Sequence, residues 1–444
     1  MTCFCHRPSQ RPVNDIDRIH HAQLSQSAEL LAAIFAGKLP ADKQMELYFR
    51  AHRNMGKRDR GFVAETVYGI IRDRRFLEWG LVRDSGAMPD EREMVAAYLM
   101  TNTGWSVRSL AAKGFEEFAK RASDKARDIV RKDLPFSLRN SVPDWLGDRL
   151  VSQYGETAAT ELAQSLNRPA TLDLRVNTIK ATREQAMERL AGESVAMEPT
   201  PFSPVGLRRD DRAPLFQTQT FQEGWVEVQD EGSQLISLLL EVKRRDHVAD
   251  FCAGAGGKSL HLAALMENTG SLYAFDISES RLSNLKPRII RAGLDNLRMV
   301  PMTDEHDPVL KRHEGKMDRV LVDAPCSGTG TLRRNPDIKW RPIDLERVAN
   351  TQISILGAAA DLVKPGGRLV YATCSLLREE NEDIIANFLH DRPDFEVIPA
   401  GEVLARLKIE IPNSLTTEGY LRLSPSQHRT DGFCAAILGR KKIA

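Results

Sequence analysis

Two cysteines, Cys326 and Cys374, each close a run that reads as a buried strand. The first follows Val320-Leu321-Val322-Asp323-Ala324-Pro325 and leads into Ser327-Gly328-Thr329-Gly330; the second follows Arg368-Leu369-Val370-Tyr371-Ala372-Thr373 and leads into Ser375. Ligands of an open α/β sheet bind just past the carboxyl ends of its strands, so both thiols are expected to face one crevice. A thiolate is a strong nucleophile that can add to an electron-poor ring and later leave it. That chemistry activates an unreactive pyrimidine carbon. Pro325 fixes the backbone between Asp323 and Cys326, where Asp323 can accept a hydrogen bond from a cytosine amino group. A single buried cysteine is usually inert packing, and Cys434, inside an apolar strand, is expected to be that.

A second cluster lies at Asp250-Phe251-Cys252-Ala253-Gly254-Ala255-Gly256-Gly257-Lys258-Ser259, between an expected strand and an expected helix. Its three glycines let backbone N–H groups approach a ligand closely, and the helix start adds partial positive charge. It completes neither a Walker loop, since Cys252 stands where the first glycine belongs, nor Gly-x-Gly-x-x-Gly, since Ser259 takes the third place. Asp276 ends the next strand, about twenty residues further on, where an acid bonds a ribose hydroxyl pair. Asp304, after the third strand, is placed to receive the exocyclic amine of an adenine, with Asp307 as competitor. No arginine matches a 2′-phosphate, so a nucleoside-bearing cofactor without phosphates fits best. S-adenosylmethionine is expected; NAD stays open on the fold alone. The candidate cofactor contacts are Cys252, Ala253, Gly254, Ala255, Gly256, Gly257, Lys258, Asp276, Asp304 and Asp323.

These residues need elements to hold them. From about Asp17 to Lys132 the chain reads as helical: Ala28–Phe35, Arg60–Ile71, Met94–Leu99 and Ala111–Phe118 place apolar residues at helical spacing. A helical stretch opens after Pro143 and runs to about Leu166. Thr171–Asn177 then alternates as a strand, and Glu184–Leu190 suits a helix. From Gln229 onward strands and helices alternate: helix Ser233–Leu240, strand His247–Cys252, helix Ser259–Met266, strand Ser271–Phe275 and helix Glu279–Ala292. Strands Leu297–Val300, Arg319–Val322, Arg368–Ala372, Phe395–Ile398 and Phe433–Leu438 follow. That alternation predicts a doubly wound, mostly parallel sheet.

The 444 residues suggest two or three domains. Hydrophobic content of 42% with 28% charged residues fits a globular protein, and no apolar run approaches the ~20 residues of a membrane span. The first residues, Met1–His21, are polar and lack the apolar core of a signal peptide, so a cytoplasmic location is expected. Six cysteines without framework spacing argue against disulfide stapling. Cys3-Phe4-Cys5-His6 resembles half a metal site with no second half, and is read as a disordered tail; no metal is expected. Net charge is only +1, so a grip on nucleic acid must come from local clusters: Arg72-Asp73-Arg74-Arg75, Lys243-Arg244-Arg245 or Arg333-Arg334.

Asp323 to Gly330, Thr373-Cys374-Ser375 and Leu332-Arg333-Arg334-Asn335-Pro336-Asp337-Ile338-Lys339-Trp340 together closely resemble the RsmB/Sun family of RNA 5-methylcytosine methyltransferases, in its RsmB-like (Fmu/Sun) branch of bacterial 16S rRNA enzymes. Val228-Gln229-Asp230-Glu231-Gly232-Ser233 and Asp431-Gly432-Phe433 look like that family's flanking signatures. Arg58-Asp59-Arg60, followed by Glu65 to Arg75, resembles the NusB-like RNA-binding module of the same branch. One departure stands out: the family usually writes the cofactor turn Cys-Ala-Ala-Pro-Gly-Gly-Lys-Thr, and here Ala255 takes the proline's place.

The resemblance implies an α/β fold in three parts: an all-helical NusB-like module over residues 1–140, a small α/β RNA-binding subdomain over 141–222, and a Rossmann-like S-adenosylmethionine-dependent methyltransferase domain over 223–444. It implies methylation of C5 of a cytosine in RNA, 16S rRNA first, with Cys374 adding to C6 and Cys326 assisting release of the product. Asp323 and Lys258 would steady the base. The Leu332–Trp340 loop, with two arginines, Lys339 and an aromatic face, would receive the unstacked nucleotide. A tRNA cytosine C5-methyltransferase and a non-catalytic ribosome-assembly protein are the alternatives. RNA is the expected partner, without membrane or metal, and the chain is expected to be a monomer.

Overall fold

The computed structural model describes residues 19–82, 88–126 and 131–442; the Cys3-Phe4-Cys5-His6 stretch lies outside them. The chain divides into two compact units, one running to Asn167 and including Asn335–Arg341, the other comprising Arg168–Arg334 with the residues from Pro342 onward. Among the described residues no helix is long and apolar enough to cross a membrane.

The first unit is helical: α1 (His21–Ala36), α2 (Ala41–Ala51), α3 (Lys57–Val82), α4 (Glu91–Thr103), α5 (Val107–Ala111), α6 (Glu116–Ala126), α7 (Phe136–Arg139), α8 (Asp144–Tyr154) and α9 (Glu156–Leu166). Leu24, Leu31, Val67, Ile70, Val95 and Leu99 form its dry centre, which is the apolar spacing read from the sequence. The helical stretch expected after Pro143 to about Leu166 is two helices, which meet at Gly155, whose φ of +76° a residue with a Cβ rarely adopts.

The segment Asn335–Arg341 is woven into this helical unit. Lys339 is 1% exposed; its Nζ donates to Arg72 O at 2.8 Å, Ser141 O at 2.7 Å and Asn167 Oδ1 at 2.8 Å. Trp340 packs against the helical core and donates from Nε1 to Ile71 O at 2.7 Å. The expected open platform for a nucleotide is therefore corrected: this lysine and tryptophan plug the module. A basic residue beside an aromatic one reads the same for stacking on a base as for capping helix carbonyls, and only the acceptors decide. The half-buried Arg72–Arg75 cluster is likewise paired within this unit, with Asp73 bound to Arg131 at 2.5 Å, Arg74 to Glu78 at 2.6 Å and Arg75 to Asp144 at 2.6 Å.

The second unit begins with β1 (Leu172–Val176), α10 (Arg183–Gly192), β2 (Glu198–Pro199), β3 (Gly206–Arg209), α11 (Gln219–Gln222) and β4 (Val226–Val228). These strands form an antiparallel sheet in the order β2-β3-β1-β4. One face of β1 packs Leu174 and Val176 against Leu190, Leu207 and Val226. Its other face is buried as well. There Arg208 donates to Asp173 at 2.7 and 2.8 Å and to Glu231 at 3.2 Å. Charge-assisted, bidentate geometry is what makes such desolvation tolerable.

The rest is α12 (Glu231–Leu239), β5 (His247–Asp250), α13 (Gly257–Leu265), β6 (Ser271–Asp276), α14 (Glu279–Ala292), β7 (Leu297–Pro301), β8 (Met317–Asp323), α15 (Leu345–Leu362), β9 (Val363–Thr373), α16 (Glu382–Asp391), β10 (Phe395–Ile398), α17 (Ala400–Leu407), β11 (Leu421–Leu423), α18 (Pro425–His428) and β12 (Phe433–Arg440). The sheet runs β10-β12-β9-β8-β5-β6-β7, with β11 on β12. Its β7, β6, β5, β8 and β9 are parallel, and β12 is antiparallel to β9. Apolar clusters cover both faces, as a doubly wound sheet requires. The strand order reverses between β5 and β8, which fixes the crevice at their carboxyl ends. This is the Rossmann-like fold expected from the alternation.

Candidate active site

Parallel pairing places Asp323 of β8 opposite Ala372 of β9, so the residues just beyond the two strands emerge side by side. Cys326 Sγ and Cys374 Sγ lie 3.4 Å apart, both as free thiols. Their loops are tied together. Gly330 N donates to Cys374 O at 2.8 Å, and Leu376 N donates to Thr329 Oγ1 at 2.9 Å. A Cβ at Gly330 would fall 2.1 Å from Gly432 O and 2.8 Å from Cys374 O, so only glycine allows this approach.

Glu380, fully buried, is the knot between the two loops. Its Oε1 accepts from Ser327 N at 2.7 Å and Gln352 Nε2 at 3.1 Å, while its Oε2 accepts from Ser327 Oγ at 2.5 Å and from Ser375 Oγ. Gln352 Nε2 also donates to Pro325 O at 2.9 Å. The tie that Glu380 makes between the two loops was not read from the sequence. The signal for it was the place of Glu380 six residues after Cys374 in a chain turning back toward the strand ends. The hydrogen bond with Cys374, burial, and the charges of Cys374 and Glu380 push the Cys326 thiol up, against an opposing bond from the Gly328 backbone. Burial also raises Cys252 and Cys434; Cys434 packs inside β12, whereas Cys252 belongs to the glycine-rich turn.

Lys258, at the start of α13, sets the opposite sign beside them. Its Nζ lies 2.6 Å from Asp323 Oδ2 and 5.5 Å from the centre of the Phe433 ring. Burial alone would lower its pKa, but Asp323, Cys374 and Asp250 hold it above the ordinary lysine value. Arg334 closes the far side, donating to Asp230 Oδ2 at 2.8 Å and Asp431 Oδ2 at 2.6 Å. The two flanking signatures are thus joined through this arginine.

The glycine-rich turn descends from β5 to α13 with Gly254 at φ +57° and Gly256 at φ +79°. A Cβ on Gly256 would also strike Leu285 at 2.2 Å. Gly254 N donates to Asp276 Oδ2 at 2.7 Å. Two arginines that sequence reasoning missed grip the turn's carbonyls. Arg288 Nη1 donates to Ala255 O at 2.5 Å and Nη2 to Glu227 at 3.0 Å; Arg175 Nη1 donates to Gly257 O at 2.7 Å and to Gln229. The carbonyl at the position that usually follows a proline's fixed φ is held here by a guanidinium.

Over this turn lies a cavity of about 400 Å³ lined by Cys252, Ala253, Gly254, Ala255, Gly257 and Lys258, together with Asp250, Asp276, Asp323 and Pro325. Gly256 shapes the turn without lining the cavity, and the two cysteines sit just past its Pro325 edge. Asp304 is not in the lining: its Oδ1 accepts from His306 N at 2.8 Å, and Glu305 lines the cavity instead. Asp307, the competitor, binds Thr303 and Val309. Phe251, Ile277, Met302 and Ile355 supply apolar walls for a flat base. Asp276 accepts from Gly254 N and Ser278 N, one per oxygen, which leaves lone pairs for a ribose hydroxyl pair. The buried Asp250 Oδ1 has no partner among the described residues, an acceptor suited to an ammonium. The residues present fit S-adenosylmethionine, in a volume usual for cofactor sites.

Comparison with known proteins bears on the same residues. A family model described as 16S rRNA methyltransferase RsmB/F matches residues 237–439, and one described as the ferredoxin-like domain of RsmF/B-like methyltransferases matches 142–215. The "Probable ribosomal RNA small subunit methyltransferase B" of Bacillus subtilis is 35% identical, covering 76% of this chain and 72% of its own. The "Ribosomal RNA small subunit methyltransferase B" of Salmonella paratyphi B is 30% identical, covering 79% and 86%. Among solved structures, that of PH0851 superposes with a TM-score of 0.79 at 26% identity over 95% of this chain and 99% of its own. A methyltransferase homologue from Pyrococcus horikoshii gives a TM-score of 0.60 at 30% identity over 70% and 100%. The cofactor is S-adenosylmethionine, and the chain belongs to the RsmB/F family of 16S rRNA methyltransferases.

Proposed function

We propose that this protein methylates C5 of one cytosine in 16S rRNA, in the cytoplasm, through a covalent bond between Cys374 and C6 of the base. The observation that carries the reading is the thiol pair at 3.4 Å beside the Lys258–Asp323 ion pair, past the edge of the cofactor cavity. Cys374 Sγ adds to C6, and the electrons of the C5–C6 double bond move onto the ring and make C5 nucleophilic. Bound S-adenosylmethionine supplies the electrophilic methyl group. Asp323 accepts from the cytosine amino group and Lys258 steadies the negative charge that develops on the ring. Water takes the C5 proton, the freed C–H pair restores the C5–C6 double bond, the S–C6 pair returns to Cys374 Sγ, and Cys326, beside the departing atom, assists the release. Asp250, Asp276 and the turn from Cys252 to Lys258 hold the cofactor.

The target base must leave its stack, at a cost of a few kcal/mol. Residues 1–140 and 141–222 grip the RNA around it, and residues 223–444 carry the chemistry. The test is methylation of undermodified small-subunit rRNA, with tRNA in parallel, by wild type, Cys374→Ala and Cys326→Ala. Cys374→Ala should lose about four orders of magnitude in rate, and Cys326→Ala should accumulate a denaturation-resistant protein–RNA adduct. Methylation surviving in Cys374→Ala would remove the nucleophile. Modification of tRNA alone would move the substrate, and a wild type that binds cofactor yet modifies neither RNA would point to an assembly factor.

A further inference from the structure

Two thiols 3.4 Å apart pose a problem that neither cysteine's own position solves. Sharing a proton, the pair can be thiolate on either sulfur, and the two forms would do different chemistry. The surroundings are not symmetric. Lys258 carries its positive charge on the side of Cys374, which in turn holds the lysine protonated. Glu380 leans to the side of Cys326: it binds Ser327 N and Oγ directly after that cysteine and, through Gln352, the Pro325 carbonyl directly before it, against one bond from Ser375 Oγ directly after Cys374. Two fixed N–H donors, Ser327 N and Gln352 Nε2, point at its Oε1, and the hydroxyls of Ser327 and Ser375 meet its Oε2. The other charged and titratable groups near the pair are Asp323 on β8, Asp250 on β5 and Tyr371 on β9, whose hydroxyl donates to Glu380 O at 2.8 Å.

Resting on the covalent reading above, we propose that Glu380 is the positioning residue that assigns the two cysteines their roles: it fixes both loops, and its buried charge keeps the shared proton on Cys326, so that Cys374 is the attacking thiolate. The raised Cys326 thiol is in accord. Addition by Cys374 then consumes the thiolate while the proton stays on Cys326, next to the S–C6 bond that must later break.

Glu380→Gln separates the charge from the shape. Oε1 accepts from two N–H groups that cannot reverse, whereas Oε2 accepts from two hydroxyls that can turn and accept instead. The amide nitrogen therefore takes the Oε2 place and the loops keep their ties. The measurement is pulsed iodoacetamide alkylation of the full-length, RNA-free protein across about pH 6–10, with each thiol read by peptide mass spectrometry. In wild type Cys374 should react first. In Glu380→Gln the alkylation rate of Cys326 near pH 8 should rise about tenfold, as a shift of one pH unit in its titration requires, with S-adenosylmethionine binding unchanged. A wild type in which Cys326 reacts first, or an unaltered ratio in Glu380→Gln, overturns the proposal. Should that variant fail to fold, Lys258→Met reads the same division from the other side: alkylation of Cys374 should slow and that of Cys326 should not, and the reverse overturns it. The two readings fail separately. A Cys374→Ala enzyme that still methylates removes the covalent mechanism, whereas a normal covalent adduct with an unaltered Glu380→Gln ratio removes only the role of Glu380.

Discussion

Asp250 shows what one buried carboxylate costs the apoprotein. It ends β5 at 1% exposure, receives Ser259 Oγ at 2.6 Å on one oxygen, and has no partner among the described residues on the other. Burial first, then Asp323, push its pKa up to about 7, against the Ser259 hydrogen bond and Lys258. Because the folded value exceeds the unfolded one, the protonated form stabilises the fold below about pH 4, and that contribution is lost as pH rises through 7. Asp250→Asn, which keeps the Ser259 bond, should therefore stabilise the cofactor-free fold near pH 8 by on the order of 4 kcal/mol, read as a raised melting temperature, and converge with wild type toward pH 4. The same residue should be needed by the cofactor, so affinity falls as stability rises. At this scale the sequence named the residues whose type advertises chemistry: Cys374, Cys326, Asp323 and Lys258 do assemble around one crevice edge. It missed Gln352, Arg175 and Arg288, and the tie that Glu380 makes to the Cys326 loop, because each acts through a neighbour remote in sequence. It also chose Asp304 where Glu305 faces the cavity, since the direction of a side chain in a turn is not a periodic property.

The glycine-rich turn is an element with too much freedom of its own. Two of its residues have positive φ, and Ala255 lacks the fixed φ of proline, so its shape must be imposed from outside. Arg288 on α14 and Arg175 on β1 impose it by holding the Ala255 and Gly257 carbonyls. Each is braced in turn, Arg288 by Glu227 and Arg175 by Gln229. Losing one charged hydrogen bond of this kind is worth about 1.5–3 kcal/mol. Arg288→Ala should weaken S-adenosylmethionine binding at least about tenfold by calorimetry, with Arg288→Lys recovering part of it; unchanged affinity would mean that the turn holds its own shape. Strand ends were readable here because apolar runs stop where turn residues begin. The antiparallel β2-β3-β1-β4 sheet was less readable, since β1 buries its polar face too, on Arg208 and the turn, so its alternation does not mark solvent.

At the scale of the whole molecule one segment belongs to a unit remote from it in sequence. The helical unit draws its last segment, Asn335–Arg341, from the far side of the chain. Reading along the sequence assigned that segment to the nucleotide-facing loop on that loop's two arginines, Lys339 and aromatic face. Its buried partners, Arg72, Ser141, Asn167 and Ile71, precede it by at least as many residues as a small domain contains. This has a consequence in time. A ribosome that has just released Asn167 has delivered α1 to α9 of the first unit, yet Lys339 and Trp340 are still unmade. At roughly 5–20 residues per second, the wait lasts on the order of ten to thirty seconds, during which the carbonyls of Ile71, Arg72 and Ser141 lack their donors. Nascent chains stalled soon after Asn167 clears the exit should be cut readily within the helical region by a dilute protease, and should gain resistance only once Trp340 has emerged. Equal resistance at both lengths would mean that the helices close without their plug.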